Sequence, residues 1–289
     1  MSLQYNYDID PLLKQVVQQR LLKTSSYTPT NLSESISYSL LAPGKRIRAR
    51  LSLACSEMLG LPYAAAVPAA LSVEIMHCFT LIHDDLPCMD NADFRRGLPS
   101  NHKKFGEALA LLAGDALMAM AFEELLEAAN HIEPNRVLRA GKRLLSLTGP
   151  QGVIGGQAAE MLLTKKSQIS DLRHMHELKT GALFKSSLLI PQDLAGIEEK
   201  SDQGMVIGTL AHALGLAFQV ADDLADYPED SKGDSRSPPT SILFYQSAKE
   251  AGHESTQALK AASDSLQAMW GDKSKALREI ATQVLRALA

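Results

Sequence analysis

The chain has 289 residues, of which 45% are hydrophobic and 21% charged, and its formal net charge is −4. This length is enough for a full hydrophobic core, and a mildly acidic chain gives no reason to expect a nucleic-acid partner. Its cysteines, Cys55, Cys78 and Cys88, form no Cys-x-x-Cys pair and indicate neither a disulfide framework nor a thiolate metal site. A reducing cytoplasm is the simplest compartment.

Helical periodicity dominates the chain, and alternating runs of β-branched and aromatic residues are absent. The polar N-terminus lacks the apolar core of a signal peptide, and we expect neither a segment that spans a bilayer nor insertion into a membrane. Turn-forming residues predict breaks at 27–31, 42–44, 60–63, 130–135, 149–156, 164–170 and 227–240. None resembles an interdomain linker, so we predict an all-α protein in which residues 1–289 form a single domain.

A short basic cluster follows the second of these breaks and contains Lys45, Arg46, Arg48 and Arg50. Positive charge concentrated in this way indicates a local anion site. An exposed helix start without a ligand produces the same pattern, so both interpretations stay open from these residues alone.

A cluster of aspartates ends the next apolar helical run: Asp84, Asp85 and Asp90. Pro87 disrupts the helix, because it donates no backbone hydrogen bond, and the irregular chain after it can return Asp90 toward Asp84. Taken alone, the cluster is either a metal site or a solvated helix end in which the aspartates pair with Arg95 and Arg96.

A second cluster follows another apolar run and contains Asp222, Asp223 and Asp226. Asp222 and Asp226 are four residues apart and project from one helix face. We expect this cluster near a helix C-terminus, where each charge opposes the macrodipole at a cost of roughly 0.3–1 kcal/mol that a cation would remove. Closely packed carboxylates raise one another's pKa unless a cation neutralises them, and oxygen ligands select a hard ion such as Mg²⁺. The two clusters together indicate magnesium and diphosphate chemistry.

The order of motifs resembles the trans-isoprenyl diphosphate synthases, most closely the bacterial farnesyl diphosphate synthases. The matching motifs cover most of the chain: Gly44-Lys45-Arg46-Ile47-Arg48, Asp84 to Gly97, Gly155-Gly156-Gln157 as a glycine turn, Lys179-Thr180-Gly181, Phe218-Gln219 and Asp222-Asp223-x-x-Asp226. The resemblance implies an orthogonal helical bundle around a deep central cavity, usually in a homodimer. It also implies condensation of isopentenyl diphosphate with dimethylallyl or geranyl diphosphate to farnesyl diphosphate and pyrophosphate. Geranyl and geranylgeranyl diphosphate are alternative products of the same family.

The resemblance implies roles for individual residues. Up to three Mg²⁺ ions would be held from two walls by Asp84, Asp85, Asp90, Asp222, Asp223 and Asp226, the last two through the water shell of the second-wall ion. Arg95 and Lys179 would bind the allylic diphosphate directly. The cosubstrate must not ionise, so protein cations would bind its diphosphate: Lys45, Arg48, Arg96 and His77, which lies on the helix face of Asp84. Gln219, Thr180 and Phe218 would face the carbocation.

Phe79 is the expected limit on product length, and Thr80, one turn below Asp84, tunes it. Phe79 lies five residues before Asp84, about 7.5 Å along the helix axis, and farnesyl-forming relatives carry an aromatic residue there. A ring at that depth stops elongation near fifteen carbons. A core phenylalanine without this role is the other interpretation.

Two departures from the family pattern stand out. The segment from Tyr227 to Pro239 is shortened, and Pro238 occupies the position of a lysine that relatives use as a diphosphate clamp. Lys232 and Arg236 are the nearby cations that could replace it. Glu160 replaces an aspartate that is frequent in the family.

Three other classes of protein are alternatives to this interpretation. A terpene cyclase would share the first aspartate motif but usually carries mixed Asn, Ser and Glu ligands on the second wall. A noncatalytic regulatory subunit would leave the aspartates of both walls unexplained. A magnesium-dependent diphosphate hydrolase would need no separate cosubstrate site lined by cations.

Overall fold

The computed structural model describes residues 5–22, 29–230 and 240–285, and the side chains of residues 22, 226–230 and 285 lie outside the description. The described chain is almost entirely helical, which confirms the predicted fold class. Its α-helices are α1 (Asp10–Val17), α2 (Thr30–Leu40), α3 (Ile47–Met58), α4 (Tyr63–Asp84), α5 (Asn101–Phe105), α6 (Glu107–Leu126), α7 (Pro134–Thr148), α8 (Val153–Glu160), α9 (Ile169–His176), α10 (Ala182–Ala195), α11 (Asp202–Asp230), α12 (Ala248–Trp270) and α13 (Lys275–Leu285). Short 3₁₀ segments lie at Glu127–Asn130, Ile242–Phe244 and Gly271–Ser274, and π-helical segments at Gln18–Leu22 and Glu177–Gly181.

Helix α4 runs through the centre of the molecule and packs against α3, α6 and α10. Small residues such as Ala65, Ala69 and Ala70 are fully buried along it, which lets neighbouring helices approach closely. A second apolar cluster joins α3 and α10 to α11, α12 and α13. The ends of α4 and the middle of α11 are therefore held by packing on several sides, as a site built from their side chains requires.

A small hairpin after α4 departs from the expectation of no strands. Strands β1 (Phe94–Arg95) and β2 (Leu98–Pro99) pair antiparallel, with Phe94 opposite Pro99. The two turn residues, Arg96 and Gly97, have φ values of 55° and 76°. Positive φ values at both residues of a two-residue loop are the pattern of a type I′ turn, whose twist matches that of the paired strands. The hairpin is too short to show period-two alternation, so the sequence carries no strand signal there.

Two predicted breaks overlap helices in part: residues 149–152 separate α7 from α8, but α8 begins at Val153, and α11 includes residues 227–230 of the break at 227–240. Gly155 and Gly156 belong to α8 and do not form a turn. Helix α11 continues to Asp230, so Asp222 and Asp223 lie about two turns before its end and the macrodipole argument fails for these two residues. The predicted breaks at 42–44, 60–63 and 164–170 coincide with interruptions between helices.

Within the described residues, two helices are long and apolar enough to cross a membrane by length and composition, contrary to the sequence expectation: Tyr63–Asp84 and Asp202–Ala225. Within the fold, 83% of the apolar window of the first helix and 56% of the second are buried. Packing against other helices accounts for their apolar character, as in any core helix.

A buried ion pair between α7 and α10 generates a stability prediction. Asp193 is 1% exposed, and Arg143 donates to its two carboxylate oxygens at 2.6 and 3.2 Å. Asp193→Ala leaves this guanidinium without its buried partner and should lower the free energy of unfolding by about 3–5 kcal/mol. Glu199→Ala removes an exposed partner of the same arginine, at 3.3 Å, and should cost less than about 1 kcal/mol. Equal losses in urea unfolding would contradict this assignment.

Candidate functional site

The first aspartate cluster forms where α4 ends. The backbone N–H of Asp90 donates to the carbonyl of Asp84 at 2.9 Å. The chain between them turns back after Pro87, and Asn91 follows with a φ of 49°. Asp90 is thereby returned to the side of Asp84, as the sequence predicts.

Burial and like charge make Asp84 an unusual carboxyl group. The pKa of Asp84 is raised to about 6, mainly by burial; Lys179 and Arg95 lower it, and the negative charges of Asp90 and Glu160 raise it. The pKa of Asp90 is also raised, mainly by burial. Carboxylates in this environment are destabilised unless a cation joins them. The pair forms an acceptor-only oxygen site that suits a hard cation.

Asp85 faces a different partner. It is 2% exposed, and Arg95 donates from Nε and Nη2 to its Oδ1 at 2.9 and 2.6 Å. Neighbouring residues on a helix point about 100° apart, so Asp85 and Asp84 face different sides. The structure therefore brings Asp84 and Asp90 together and pairs Asp85 with Arg95. The sequence left open that the aspartates of this cluster pair with arginines. In the structure this interpretation applies to Asp85 and not to Asp84 or Asp90.

Lys179 and Thr180 lie in the π-helical segment Glu177–Gly181. A widened turn of this kind occurs frequently at functional sites. Helix α8 approaches the segment so closely that a Cβ at Gly156 would lie 2.3 Å from the backbone nitrogen of Lys179. Lys179 Nζ donates to Glu160 Oε2 at 2.5 Å. Glu160, which appeared in the sequence only as a departure from the family, is therefore the direct partner of the predicted diphosphate-binding lysine.

A chain of hydrogen bonds connects the π-helical segment to α11 and beyond. Thr180 Oγ1 donates to Gln219 Oε1 at 2.7 Å, and Gln219 Nε2 donates to Asp223 Oδ1 at 2.7 Å. The other Asp223 oxygen accepts from the backbone N–H of Ile242 at 2.6 Å. Asp223 therefore orients Gln219 and fixes the segment after residue 239, instead of standing free to order the water shell of an ion.

Part of the second wall lies outside the description. The side chain of Asp226 and residues 231–239, with Lys232, Arg236 and Pro238, are not described. Asp222, which points about 100° away from Asp223 around α11, lines a cavity, and its charge acts on Arg48. The effect of the shortened segment therefore stays a prediction.

A basic cavity of about 580 Å³ lies between α3, α4 and α11. All four residues predicted to bind the cosubstrate diphosphate line it: Lys45, Arg48, His77 and Arg96. Phe218, Asp222 and Gln283 complete part of the opposite side. The arrangement concentrates donors and positive charge in one concave site, as an anion requires.

Arg48 is the buried centre of this cavity. Its guanidinium carbon lies 4.5 Å from the ring centre of Phe184 and 5.2 Å from that of Phe218. Burial lowers the pKa of Arg48 to about 10, so the group stays charged at neutral pH. Phe218 thus supports a cation–π contact with Arg48, whereas the sequence suggested the carbocation. Phe184 belongs to none of the sequence motifs, and its contact with Arg48 was not predicted.

His77 is held as a neutral ring beside Arg48. Its Nε2 lies 3.2 Å from Arg48 Nη1. Burial lowers the pKa of His77 well below the usual value, and the charges of Arg48, Arg96 and Arg46 lower it further. A neutral His77 can accept from Arg48 through one ring nitrogen and donate from the other.

Glu74 is the counter-charge that sequence reasoning missed. It is 2% exposed and lines the cavity, and its Oε1 accepts from Arg46 Nη1 at 3.2 Å. Arg46 also donates to Asp10 and to the carbonyls of Leu40 and Ala42. These bonds hold Arg46 at a φ of 49°, a backbone conformation rare for a side-chain-bearing residue, at the start of α3. The available signal was an acidic residue inside an otherwise apolar helix.

Arg96 reaches the cavity from the hairpin turn. Its guanidinium packs against Gly44, where an added Cβ would lie 3.2 Å from the guanidinium carbon. The glycine of the basic motif therefore makes room for a cation that arrives from another part of the chain. This close approach explains why glycine precedes the basic cluster.

The residues predicted to limit product length lie deeper along α4. Phe79 is 5% exposed, and its ring meets that of His83 edge to face with centroids 4.9 Å apart. Thr80 is buried, and its hydroxyl donates to the carbonyl of His77 at 2.8 Å. The structure thus places Phe79 in the core below Asp84, and its gating role stays a prediction.

An all-helical fold with a carboxylate wall beside a basic cavity defines a class of protein that handles diphosphates. A family model for polyprenyl synthetases matches residues 29–280, and the chain belongs to that family. The farnesyl diphosphate synthase of Geobacillus stearothermophilus is 42% identical over 200 residues, which are 68% of this chain and 67% of that protein.

Other relatives are named for a longer product, geranylgeranyl diphosphate. Geranylgeranyl pyrophosphate synthase 11 of Arabidopsis thaliana is 41% identical over 209 residues, 71% of this chain, and the match spans 58% of that protein's length. Among solved structures, an FPP/GFPP synthase from Zymomonas mobilis has a TM-score of 0.80 and 32% identity, with 96% of this chain and 98% of that chain covered. A geranyltransferase from Legionella pneumophila has a TM-score of 0.83 and 29% identity, with 97% and 99% covered.

The raised pKa of Asp84 predicts a gain in stability when its charge is removed. The folded protein holds this proton more tightly than the unfolded chain, because the pKa rises from 3.8 to about 6. Wild-type stability relative to Asp84→Asn should therefore fall as pH rises between those values. Without Mg²⁺ at pH 7, the variant should gain roughly 1–3 kcal/mol in urea unfolding, and the gain should vanish below pH 3.

A matched control separates this effect from a general loss of negative charge. Asp93 is exposed and pairs with Lys103 at 2.7 Å, and that partner lowers its pKa. Asp93→Asn should bring no gain in stability at pH 7. A gain for Asp93→Asn equal to that for Asp84→Asn would contradict the assignment.

Proposed function

We propose that the protein is a magnesium-dependent prenyltransferase that condenses isopentenyl diphosphate with dimethylallyl and then geranyl diphosphate, forming farnesyl diphosphate and releasing pyrophosphate. One observation carries the proposal: two carboxylates with raised pKa values, Asp84 and Asp90, meet at the C-terminal end of α4, and a separate cavity lined by cations lies beside the same helix. Two diphosphates that must be treated differently need two such sites. The Geobacillus relative, a farnesyl diphosphate synthase, supports the product.

The carboxylate wall fits magnesium that is shared with a substrate. Among the residues whose side chains are described, no group of three His, Cys, Asp or Glu could hold a metal ion by itself. Mg²⁺ is usually bound through one or two carboxylates together with substrate phosphates and water. Asp84 and Asp90 match that requirement, and Asp222 and Asp226 are the proposed ligands of the opposite wall. Up to three bound ions would neutralise the charge of the leaving diphosphate.

The residues of this chain then have distinct tasks. Lys179, on release from Glu160, would donate to the leaving diphosphate, and Arg95 would add a second donor from its pair with Asp85. Cleavage of the allylic C–O bond leaves a carbocation, toward which Thr180 and the oriented Gln219 can present oxygen lone pairs. The isopentenyl double bond attacks this cation, and the departing diphosphate takes the proton that is lost.

The diphosphate of the cosubstrate would be bound by the cations of its cavity. Arg48 and Arg96 offer planar donors that match phosphate oxygens, and Lys45 adds a point charge. Arg48 is already desolvated against Phe184, so little reorganisation is needed when the diphosphate enters. Isopentenyl diphosphate has no allylic C–O bond and does not ionise to a stabilised carbocation, so protein cations would suffice to bind its diphosphate.

A geranylgeranyl product is the second candidate, since several of the most similar relatives are named for it. Phe79 favours the shorter product, because its buried ring lies below Asp84 where the chain must grow.

We also propose a homodimer that acts in the cytoplasm. Helix α6 exposes Leu111, Leu112 and Leu126 by 46%, 52% and 58%, an outward apolar face that a second copy would cover. The cysteines are free thiols, which suits a reducing compartment.

The proposed reaction is tested directly with purified protein, Mg²⁺, isopentenyl diphosphate and either dimethylallyl or geranyl diphosphate. We expect a fifteen-carbon product from both primers, and none when Asp84 and Asp222 are both replaced by asparagine. A longer product would retain the prenyltransferase and remove Phe79 as the limit. No condensation by folded protein would contradict the enzyme and favour a regulatory subunit.

Loss of Arg48 should affect one substrate more than the other. Arg48→Gln removes a buried charge-assisted donor, so the KM for isopentenyl diphosphate should rise roughly tenfold to a hundredfold, and the KM for geranyl diphosphate should change little. Arg50→Gln is the matched control, because Arg50 belongs to the same basic cluster but is not among the residues that line the cavity. A parallel rise in both KM values would contradict the separation of the two sites.

A further inference from the structure

His83 lies immediately before Asp84, yet it has no part in the chemistry proposed above. Its side chain points toward α6, where Nε2–H donates to the carbonyl of Leu111 at 3.0 Å. A Cβ built at Gly114 would lie 2.1 Å from His83 Nε2 and 2.3 Å from its Cδ2. The imidazole therefore occupies the space that a side chain at position 114 would need. Glycine at this position of α6 makes room for the ring.

The same ring fixes Phe79. Phe79 lies one turn before His83 on α4, and the two rings meet at an interplanar angle of 77° with centroids 4.9 Å apart. An edge-to-face contact of this kind has a preferred geometry. Because His83 is tied to α6 at its far side, Phe79 cannot swing toward α6 without displacing it. A buried aromatic ring supported in this way is a firmer obstacle than one that relies on α4 alone.

We propose that Gly114 and His83 form a lock between α6 and α4 that holds the Phe79 ring in place and thereby sets the length of the prenyl diphosphate product. The proposal rests on the proposed function and deepens it. Phe79 is the residue that meets the growing chain, and His83 and Gly114 are positioning residues that act through it. The ligand that the lock excludes is a prenyl diphosphate one five-carbon unit longer than the normal product.

The lock predicts longer products when Gly114 or His83 is changed. A general loosening of α6 does not predict this result. Gly114→Ala should push the imidazole out of its site, because the clash is with the end of a side chain and not with backbone. Phe79 then loses its support, and the ratio of twenty-carbon to fifteen-carbon product should rise about tenfold. His83→Ala should have the same effect by removing the support directly. Phe79→Ala should lengthen the product at least as much as either.

Gly141→Ala on α7 is the matched control, since a Cβ there would meet nothing within 4 Å. This variant should keep the wild-type product ratio. The double variant His83→Ala with Gly114→Ala adds a second check, because position 114 has room once the imidazole is gone. The double variant should match His83→Ala alone, whereas independent effects would add.

Product ratios, not rates, are the readout, so slower turnover from a change beside Asp84 does not affect the conclusion. If Gly114→Ala does not fold, His83→Ala carries the test, because it only removes atoms from a partly exposed site. Wild-type ratios from folded His83→Ala together with longer products from Phe79→Ala would overturn the lock and leave Phe79 as the limit. Unchanged products from Phe79→Ala would overturn both. No condensation by the wild-type protein would instead refute the proposed function.

Discussion

The buried positive charge of Arg48 is the constraint on which the remainder of the site depends. A guanidinium taken out of water needs nearby negative charge or strong polarisable contacts, and Arg48 has both: Glu74 acts on it electrostatically, and the rings of Phe184 and Phe218 lie within 4.5 and 5.2 Å. The same carboxylate binds Arg46 and so fixes the start of α3. Glu74 thereby acts on both arginines of the cavity before any substrate arrives.

At the end of α4 the excess charge is negative instead of positive. There Asp84 and Asp90 are brought together with Glu160 close by, and the pKa of Asp84 rises to about 6. Excess buried positive charge in one part of the site and excess negative charge in another are each unfavourable alone, which is the usual cost of a preorganised site. In the proposed reaction, one diphosphate relieves the first and a metal–diphosphate complex relieves the second. Gly156, against the backbone of Lys179, and Gly114, against the side chain of His83, allow close contacts between the segments that carry these groups.

The sequence predicted what spacing and motif can reveal. Helical periodicity predicted the fold, and Pro87 predicted the return of Asp90; the grouping of the cosubstrate cations was implied by the resemblance to the family. The sequence did not predict the partners, because they come from distant parts of the chain. Glu74 looks like one acidic residue in an apolar helix, Asp223 looks like a metal ligand until Ile242 is seen to donate to it, and a glycine at position 114 has meaning only when His83 faces it.

Calorimetric titration of the two substrate classes with and without magnesium tests the central claim most directly. Isopentenyl diphosphate and a nonreactive allylic thiodiphosphate would each be titrated into the protein in EDTA and in excess Mg²⁺. If protein cations bind one diphosphate and carboxylate-held metal binds the other, isopentenyl diphosphate should bind with similar affinity in both buffers, and the allylic analogue should bind only with Mg²⁺. Equal dependence of both ligands on Mg²⁺, or binding of the allylic analogue that is undiminished in EDTA, would contradict the account.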